Sequence, residues 1–394
     1  MNDTDYKGHK AFWYKTSWYH RKKILNSDGT VTYTKQGGFD NPYDAEASYD
    51  RCEEEFKKAQ MLVINPKKND NVMLKDYIQY WFEKDYRERI ANSTAMITSY
   101  CIYNIIIPNI INDIKIKSAT TEYLDMILER ISHISKCSGD KAREVLNLAF
   151  EDAFREGIIP NNPVKDTKKY RRSKPKIVIL NKAEIKKLLY VVKKDANWYL
   201  ETLIGLFCGL RKGEIFGLKF GDFDLENKNV FIERQTGASY EIGEYEYKVK
   251  LVGIVERGPK TKNGYRTLPV PQVIIDELEK RKLLVDYYKM SQEDFNDHDY
   301  ISCRPDGKPH ALSSFNGYLN KACLKAAVPK ITVHSLRHMY ATILLEQGES
   351  LEVISALLGH SSVHTTFDYY CDVMNAIDDI TAYMNNQFPC EGGV

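Results

Sequence analysis

The apolar and polar positions near the start of the chain follow the pattern of a small sheet with one helix. Residues 11–36 hold aromatic and β-branched runs, broken by Ser27, Asp28 and Gly29, which is typical of a β-hairpin. The next stretch, residues 37–60, changes to a helical pattern. We therefore predict a sheet and a helix within residues 1–62.

The middle of the chain has a helical pattern throughout. Apolar side chains there recur at i, i+4, i+7 and i+8, as in Leu146, Phe150, Ala153 and Phe154. Gly157 and the nearby Pro160 mark the end of that helix. The pattern predicts an all-α domain over residues 72–164, followed by a linker at 165–176.

The remainder of the chain, residues 177–394, mixes helical and strand patterns of apolar residues. Helical patterns dominate it, and one strand-rich patch lies near residues 228–270. A chain of 394 residues can form two or three domains, each with its own core. The predicted fold is multidomain, with a small α+β domain, an all-α domain and a mixed, mainly helical α/β domain.

Charge is distributed unevenly, although 56 Lys and Arg almost balance 54 Asp and Glu over the whole chain. Residues 7–36 carry seven basic side chains and one acid, and residues 165–176 repeat that ratio. From His338 onward there is no Lys or Arg. Such asymmetry favours basic surfaces that bind nucleic acid, with an acidic end held away from them or docked on protein. The candidate DNA-binding residues are Lys15, Arg21, Lys22, Lys23, Arg171, Arg172 and Lys174.

Cysteine usage and hydropathy narrow the class further. The eight cysteines form no C-x-x-C pair, which argues against a zinc module and against a thioredoxin-like site. No apolar run approaches the roughly 20 residues that span a bilayer. We expect a soluble, cytoplasmic protein that makes no membrane contact.

The stretch LFCGLRKGE contains the first candidate for phosphate chemistry. Gly209 permits a tight turn, and Arg211 opens a helix whose dipole attracts an anion. A surface salt bridge between Arg211 and Glu214 is the more common use of such a pair.

A second cluster lies in VHSLRHMYAT. His334 and Arg337 are three residues apart and share a face in the first turn of a helix, where a phosphate can fit between imidazole and guanidinium. His338 is predicted to be a packing residue, because it points about 100° away from Arg337.

A third cluster follows a helix that ends at Gly359, which can adopt the left-handed conformation and turn the chain sharply. That turn presents His360. Tyr369 and Tyr370 come about ten residues later.

Together the motifs GLRKGE, HSLRH, LLGHSS and TT-x-x-Y-Y resemble the tyrosine recombinases, or phage-type integrases, over residues 177 to about 375. The resemblance implies that Arg211, His334, Arg337 and His360 bind the scissile phosphate and that a tyrosine attacks it. The surrounding sequence is most like that of integrases from conjugative transposons. Alignment to the family's TT-x-x-x-Y-x-H-V motif selects Tyr370 as the nucleophile, whereas counting residues from His360 selects Tyr369. We prefer Tyr370.

The family also uses a lysine on a β-hairpin as general acid. The stretch RGPKTKNGYR offers Lys260 and Lys262 beside Asn263 and Gly264, a hairpin turn signal. The family's PKT wording favours Lys260, with Lys262 as the alternative.

The resemblance carries further expectations about mechanism and partners. It implies a 3′-phosphotyrosyl intermediate and strand exchange through a Holliday junction, with no metal or ATP cofactor. It also implies an arm-binding domain at residues 1–62, a three-stranded sheet plus a helix. The helical domain would bind the core DNA site, and the catalytic domain would occupy 177–394. The expected partners are double-stranded DNA, three further copies of the chain in a homotetramer, an excisionase and a host DNA-bending protein.

Two alternatives use the same residues differently. A type IB topoisomerase shares this chemistry but relaxes a single duplex, and the N-terminal module argues against it. A non-catalytic DNA-binding regulator of the same fold would have no use for the tyrosine.

Overall fold

The computed structural model describes residues 10–25, 31–63, 71–170, 178–259, 261–364 and 366. The chain divides into two compact units. The first comprises Met1–Lys174 with Tyr240–Leu251, and the second comprises Pro175–Ser239 with Val252–Val394. Within the described ranges, no helix combines the length and apolar character needed to cross a membrane.

The first unit begins with the predicted sheet and helix, which the structure confirms. The sheet has three antiparallel strands in the order β1-β2-β3, and α1 packs on it. The ranges are β1 Ala11–Tyr14, β2 Ser17–Leu25, β3 Val31–Phe39 and α1 Pro42–Val63. The buried His20 ring lies 2.9 Å from the Ser48 hydroxyl (Nε2 to Oγ), which joins strand β2 to helix α1. The predicted turn at Ser27, Asp28 and Gly29 lies outside the described residues.

Residues 72–164 of the first unit are mainly helical, as expected, around a core that includes Trp81, Phe82 and Phe150. Its α-helices are α2 Leu74–Trp81, α3 Asn92–Tyr100, α4 Ile107–Asn109, α5 Thr121–Ile134 and α6 Lys136–Arg155. Two π-helical turns, Phe82–Tyr86 and Cys101–Ile106, continue α2 and α3. The predicted apolar stripe of α6 is wrong at its last position, because the Phe154 side chain is exposed.

Residues 240–251 belong to the first unit, although sequence alone grouped them with the rest of 177–394. Their backbone is held there by side chains of the helical part. The Asn92 amide both donates to the Tyr240 carbonyl (2.8 Å) and accepts from its N–H (2.9 Å). Arg87 Nη2 donates to the Ile242 carbonyl (2.6 Å). Bonds of this kind depend on tertiary packing, which the periodicity of a sequence does not encode.

The second unit is mainly helical, with a core in which α12 packs on α8. Its helices are α7 Lys182–Val192, α8 Tyr199–Phe207, α9 Lys212–Ile215, α10 Gln272–Ser291, α11 Leu312–Ala326, α12 Val333–Glu346 and α13 Leu351–Leu358. Side-chain caps fix where α12 and α13 begin. The Thr332 hydroxyl accepts from the Ser335 N–H at the start of α12, and the Ser350 hydroxyl accepts from the Val353 N–H at the start of α13.

The predicted strand-rich patch forms two separate small sheets. One has the order β4-β5-β8 and the other pairs β6 with β7. The ranges are β4 Phe223–Asp224, β5 Asn229–Ile232, β6 Gln235–Ile242, β7 Val249–Arg257 and β8 Arg266–Pro269. The predicted hairpin around Asn263 and Gly264 is therefore wrong, because the strands on either side of this turn pair in different sheets.

Candidate active site

The site is organised around four consecutive backbone carbonyls at residues 357–360, which we call the carbonyl row. The last carbonyls of an α-helix have no partner within the helix and must find one elsewhere. Each carbonyl of the row accepts from a different side chain. The pairs are Leu357 with Arg266 Nε (2.7 Å), Leu358 with Arg337 Nη2 (2.6 Å), Gly359 with Arg211 Nη2 (3.1 Å) and His360 with Asn263 Nδ2 (3.0 Å).

Gly359 ends α13 in the left-handed conformation, with φ of 66°, as predicted from the sequence. A Cβ atom at this position would lie 2.7 Å from the Asn263 carbonyl oxygen. Glycine is therefore required both by the backbone angle and by the close approach of a neighbouring segment.

Arg211 immediately precedes α9 and is the more accessible of the two predicted arginines, with 37% of its side chain exposed. Its Nη1 contacts Glu214 Oε1 at 2.8 Å, and its own N–H donates to Glu214 Oε2 at 2.9 Å. The salt bridge between Arg211 and Glu214, the more common use of such a pair, is thus present. Glu214 is buried, however, and does not lie on the surface. The pair orients Arg211 while part of its side chain stays exposed to solvent.

Arg337 lies on α12 and is buried. Its Nη1 donates to the Gly209 carbonyl (2.8 Å), and its Nη2 donates to the Leu358 carbonyl of the row. Gly209 has φ of 62°, and a Cβ there would lie 2.4 Å from the Tyr340 ring. The turn that leads into α9 and the end of α13 are therefore both fixed by one guanidinium.

The three predicted histidines differ in exposure but share a lowered pKa. Burial, followed by the positive charges of Arg337 and Arg211, lowers the pKa of His360 to about 4. Partial burial and the same two arginines lower the pKa of His334, which is the most exposed of the three. The charges of Arg211 and Arg337 act on the pKa of both His334 and His360. The structure therefore brings these four predicted side chains into one site.

His338 is buried, as predicted for a packing residue. Its ring meets the ring of His334 edge-on, with centroids 4.9 Å apart. Burial and the neighbouring His334 and Arg337 lower the pKa of His338 to about 4. All three imidazoles are therefore neutral at pH 7.

Sequence reasoning missed Arg266 as a member of the site. Its Nη2 contacts Glu214 Oε2 at 2.9 Å, so that Glu214 lies between the guanidinium groups of Arg211 and Arg266. Burial alone would raise the pKa of Glu214, but the hydrogen bond from Arg266 and the two positive charges outweigh it and lower that pKa. The short RTLP strand carries no spacing signal that distinguishes Arg266 from an ordinary surface arginine.

The loop segment 261–265, which holds Lys262, lies beside the carbonyl row. Lys260 is outside the described residues. Lys262 is exposed and opens a 3₁₀ turn, Lys262–Gly264, in which the Tyr265 N–H donates to the Lys262 carbonyl (3.1 Å). Asn263, in the middle of this turn, makes the contact to the His360 carbonyl.

The tyrosine candidates, Tyr369 and Tyr370, also lie outside the described residues. The described residue nearest to them is Thr366, which is buried. Its hydroxyl is 2.8 Å from His360 Nδ1. This contact occupies Nδ1 of His360, so a further partner of the ring would bind at Nε2.

The basic candidates of the N-terminal sheet have different surroundings. Lys15 and Arg21 are exposed, whereas Lys23 forms an ion pair with Glu53 of α1 at 2.9 Å. Lys22 is half-buried. Lys35 adds a cation 4.4 Å from the Tyr14 ring centre, which makes an aromatic and basic surface. Arg171, Arg172 and Lys174 lie outside the described residues.

Comparison with known proteins identifies the kind of chain that carries this site. Residues 179–376 match the model of the phage integrase family. A tyrosine recombinase XerC-like protein of Caldanaerobacter subterraneus subsp. tengcongensis is 31% identical over 58% of this chain and 60% of its own length. The transposase from transposon Tn916 of Enterococcus faecalis is 30% identical over 50% of this chain and 48% of its own. The chain thus matches less than two thirds of the length of these relatives.

Solved structures of two integrases share the fold. One is the Tn1549 transposon integrase in complex with a circular intermediate DNA, with a TM-score of 0.61, 19% identity and coverage of 74% of this chain and 94% of that one. The other is a lambda integrase dimer bound to a COC′ core site, with a TM-score of 0.56, 16% identity and coverage of 94% and 96%. The family model covers half of the chain and includes every residue of the carbonyl row, and the chain belongs to the phage integrase family.

Proposed function

We propose that this chain is a site-specific DNA recombinase of a mobile genetic element, which integrates and excises DNA through a covalent tyrosine intermediate. One observation supports this above the others. Two guanidinium groups, from Arg211 and Arg337, bind adjacent carbonyls of the carbonyl row, immediately before the neutral His360. Such a cluster of fixed positive charge suits a phosphodiester that becomes more negative as it is attacked.

The proposed reaction begins when the Tyr370 hydroxyl attacks the scissile phosphorus. A bond forms between the tyrosine oxygen and phosphorus, and the bond from phosphorus to the 5′ oxygen breaks. A tyrosine hydroxyl has an ordinary pKa of about 10, so it must lose its proton during the attack. The rings of His334 and His360, which are neutral in the site without DNA, are the proposed acceptors for that proton.

The leaving 5′ oxygen must gain a proton as its bond to phosphorus breaks. A lysine on the 259–265 loop is the proposed donor, Lys260 first and Lys262 as the alternative. The Asn263 contact supports this role, since it ties the loop to the carbonyl row. The product is a 3′-phosphotyrosyl link and a free 5′ hydroxyl.

Rejoining reverses these steps with a 5′ hydroxyl from a second duplex. The energy of the phosphodiester is kept in the phosphotyrosyl bond, so the cycle needs no ATP. Exchange between two duplexes calls for four active sites and a Holliday junction. We propose a homotetramer on DNA for this chain, and a lambda integrase tetramer bound to a Holliday junction shares the fold, with a TM-score of 0.55 at 17% identity.

The first unit is the proposed DNA-binding part. The aromatic and basic face around Tyr14 and Lys35 suits an arm-type DNA site, and the helical domain, residues 72–164, would bind the core site. The basic residues 165–176 would add contacts to phosphate. An excisionase and a host DNA-bending protein are the proposed accessory partners in the cytoplasm.

The proposal is tested by trapping the covalent intermediate. Nicked duplexes from the ends of the element that encodes the protein lose a short fragment on cleavage, which prevents rejoining. After digestion, mass spectrometry of the DNA-linked peptide identifies the attacking residue. Tyr370→Phe and Tyr369→Phe serve as matched controls, because each removes one hydroxyl and keeps the ring.

An adduct on Tyr370 is the expected result. An adduct on Tyr369 keeps the function and moves the nucleophile by one residue. Relaxation of supercoiled DNA without recombinant product would instead indicate a topoisomerase. DNA binding without any adduct would indicate a non-catalytic regulator.

A further inference from the structure

Arg266 begins strand β8, where it lies opposite Ile232 of β5, and its side chain is only 7% exposed. Its guanidinium contacts three separate segments of the site. Nε donates to the Leu357 carbonyl at the end of α13 (2.7 Å), and Nη1 donates to the Gly264 carbonyl in the lysine-bearing loop (3.0 Å). Nη2 contacts the carboxylate of Glu214 (2.9 Å).

The contact to Glu214 transmits the position of Arg266 to Arg211. Glu214 is buried and holds both the side chain and the backbone N–H of Arg211. Without Arg266, this carboxylate would keep one cationic partner and lose the other. A buried carboxylate that loses a partner must move, take up a proton or draw the remaining cation closer. Each of these responses changes where the Arg211 guanidinium points.

The other two contacts hold the loop against the carbonyl row. A Cβ on Gly359 would lie 3.1 Å from Arg266 Nη1 and 2.7 Å from the Asn263 carbonyl oxygen, so the loop and the row approach closely. Asn263 also donates to the His360 carbonyl (3.0 Å). Arg266 therefore lies where the lysine-bearing loop, the end of α13 and the turn that leads into α9 at Arg211 come together.

We propose that Arg266 is a positioning residue of the active site, which holds Arg211, the lysine-bearing loop and the turn before His360 in register for attack on the phosphate. This inference rests on the proposed recombinase function. Arginine suits the role because its planar fork offers five donors in fixed directions, whereas the lysine ammonium is a single point charge. Arg266→Lys keeps the charge and loses the fork.

The test is a single-turnover cleavage assay on a saturating nicked duplex, together with measurement of the Kd for the same duplex. The matched control is Arg281→Lys. Arg281 has only 5% of its side chain exposed, contacts the buried Glu201 at 2.6 Å and also binds backbone carbonyls, among them that of Ile301. Among the residues that the structure describes, none of its contacts is to a residue of the site. Both variants therefore alter a buried arginine–carboxylate pair in the same unit.

We expect Arg266→Lys to slow adduct formation by about 100-fold, since misplacing catalytic groups by about 1 Å has an effect of that order. Its Kd for DNA should stay within roughly threefold of the wild-type value, because its guanidinium is not part of the exposed surface. Arg281→Lys should cleave within roughly threefold of the wild-type rate at temperatures below its own melting transition.

A double-mutant cycle separates positioning from general weakening of the fold. If Arg266 acts through Arg211, then Arg266→Lys should cost much less in an Arg211→Lys background than in the wild type. Asn263→Ala gives a second measurement that does not disturb the core, because Asn263 is exposed. We expect it to slow cleavage with an unchanged melting temperature.

Cleavage by Arg266→Lys at the wild-type rate would overturn the inference. Equal losses in Arg266→Lys and Arg281→Lys, in proportion to their melting temperatures, would also overturn it and leave a purely structural ion pair. Both results require a wild-type protein that forms the adduct, which separates them from failure of the proposed function. A wild-type protein that binds its DNA and forms no adduct would remove the proposed function and this inference with it.

Discussion

Substitution of Gly209 by alanine should destabilise the fold through two separate effects, an unfavourable backbone conformation and a steric clash. Gly209 has φ of 62°, a region that costs an L-residue about 1–2 kcal/mol. The added Cβ would also lie 2.4 Å from Cδ1 of Tyr340, and overpacking of this kind costs about 1–3 kcal/mol. The sum predicts a loss of about 2–5 kcal/mol in the stability of the second unit.

Gly348 provides the matched control within the same unit. It has φ of 88°, and no atom of the described part of the chain lies within 4 Å of the position its Cβ would take. Gly348→Ala should therefore show the backbone cost of about 1–2 kcal/mol alone. The difference in lost stability between Gly209→Ala and Gly348→Ala measures the cost of the clash with Tyr340.

Amide hydrogen exchange of α12 is a suitable assay, because it reports the free energy of local opening without requiring the whole chain to unfold in one step. Cleavage should fall as well, since the Gly209 carbonyl accepts from Arg337 and must move with the turn. In a Tyr340→Leu background, Gly209→Ala should cost less than in the wild type. Equal losses in Gly209→Ala and Gly348→Ala, or no relief by Tyr340→Leu, would refute the steric reasoning.

Three further predictions concern single side chains. Arg337→Lys should slow single-turnover cleavage by about 100-fold while the protein stays folded, because one ammonium cannot hold two carbonyls in a fixed fork; an unchanged rate would contradict this. The pKa of His338 is lowered from 6.5 to about 4 in the fold, so an unfolded chain takes up a proton first as the pH falls. Stability should therefore decline between pH 6.5 and 4, and urea titrations of His338→Gln should show a smaller decline over that interval. Tyr103→Phe removes a donor to the buried Glu83 carboxylate (2.8 Å) and should cost about 1–3 kcal/mol in the first unit, measured by exchange of the amides of residues 240–251.

Much of the site could be predicted from sequence because its members lie in local motifs with fixed spacing. Thr332 sets the start of α12, so His334 and Arg337 fall in its first turn. Gly359 fixes the end of α13 and thereby the position of His360. Such features depend on a few neighbouring residues, which a sequence displays directly.

The contacts that join these motifs could not be predicted in the same way. Glu214 was recognised as a partner for Arg211, but its second partner, Arg266, lies 52 residues further along the chain. The predicted hairpin failed for a related reason. The Asn-Gly signal describes a local turn, whereas the choice of partner strand is made by the pairing of β8 with β5 and of β7 with β6.

The carbonyl row has a consequence for how freely this part of the sequence can vary. Arg266, Arg337 and Arg211 recognise main-chain oxygens at residues 357–359, and every residue type supplies that oxygen. The positions of these guanidinium groups are thus set by the main chain where α13 ends, at Leu357, Leu358 and the left-handed Gly359, and not by the identity of the side chains there. Substitutions at Leu357 that preserve the helix should leave the reactive geometry unchanged, whereas inserting or deleting a single residue in this turn would shift every arginine against its neighbours. The site therefore tolerates substitutions in this turn but not insertions or deletions, and both properties follow from recognition of the main chain.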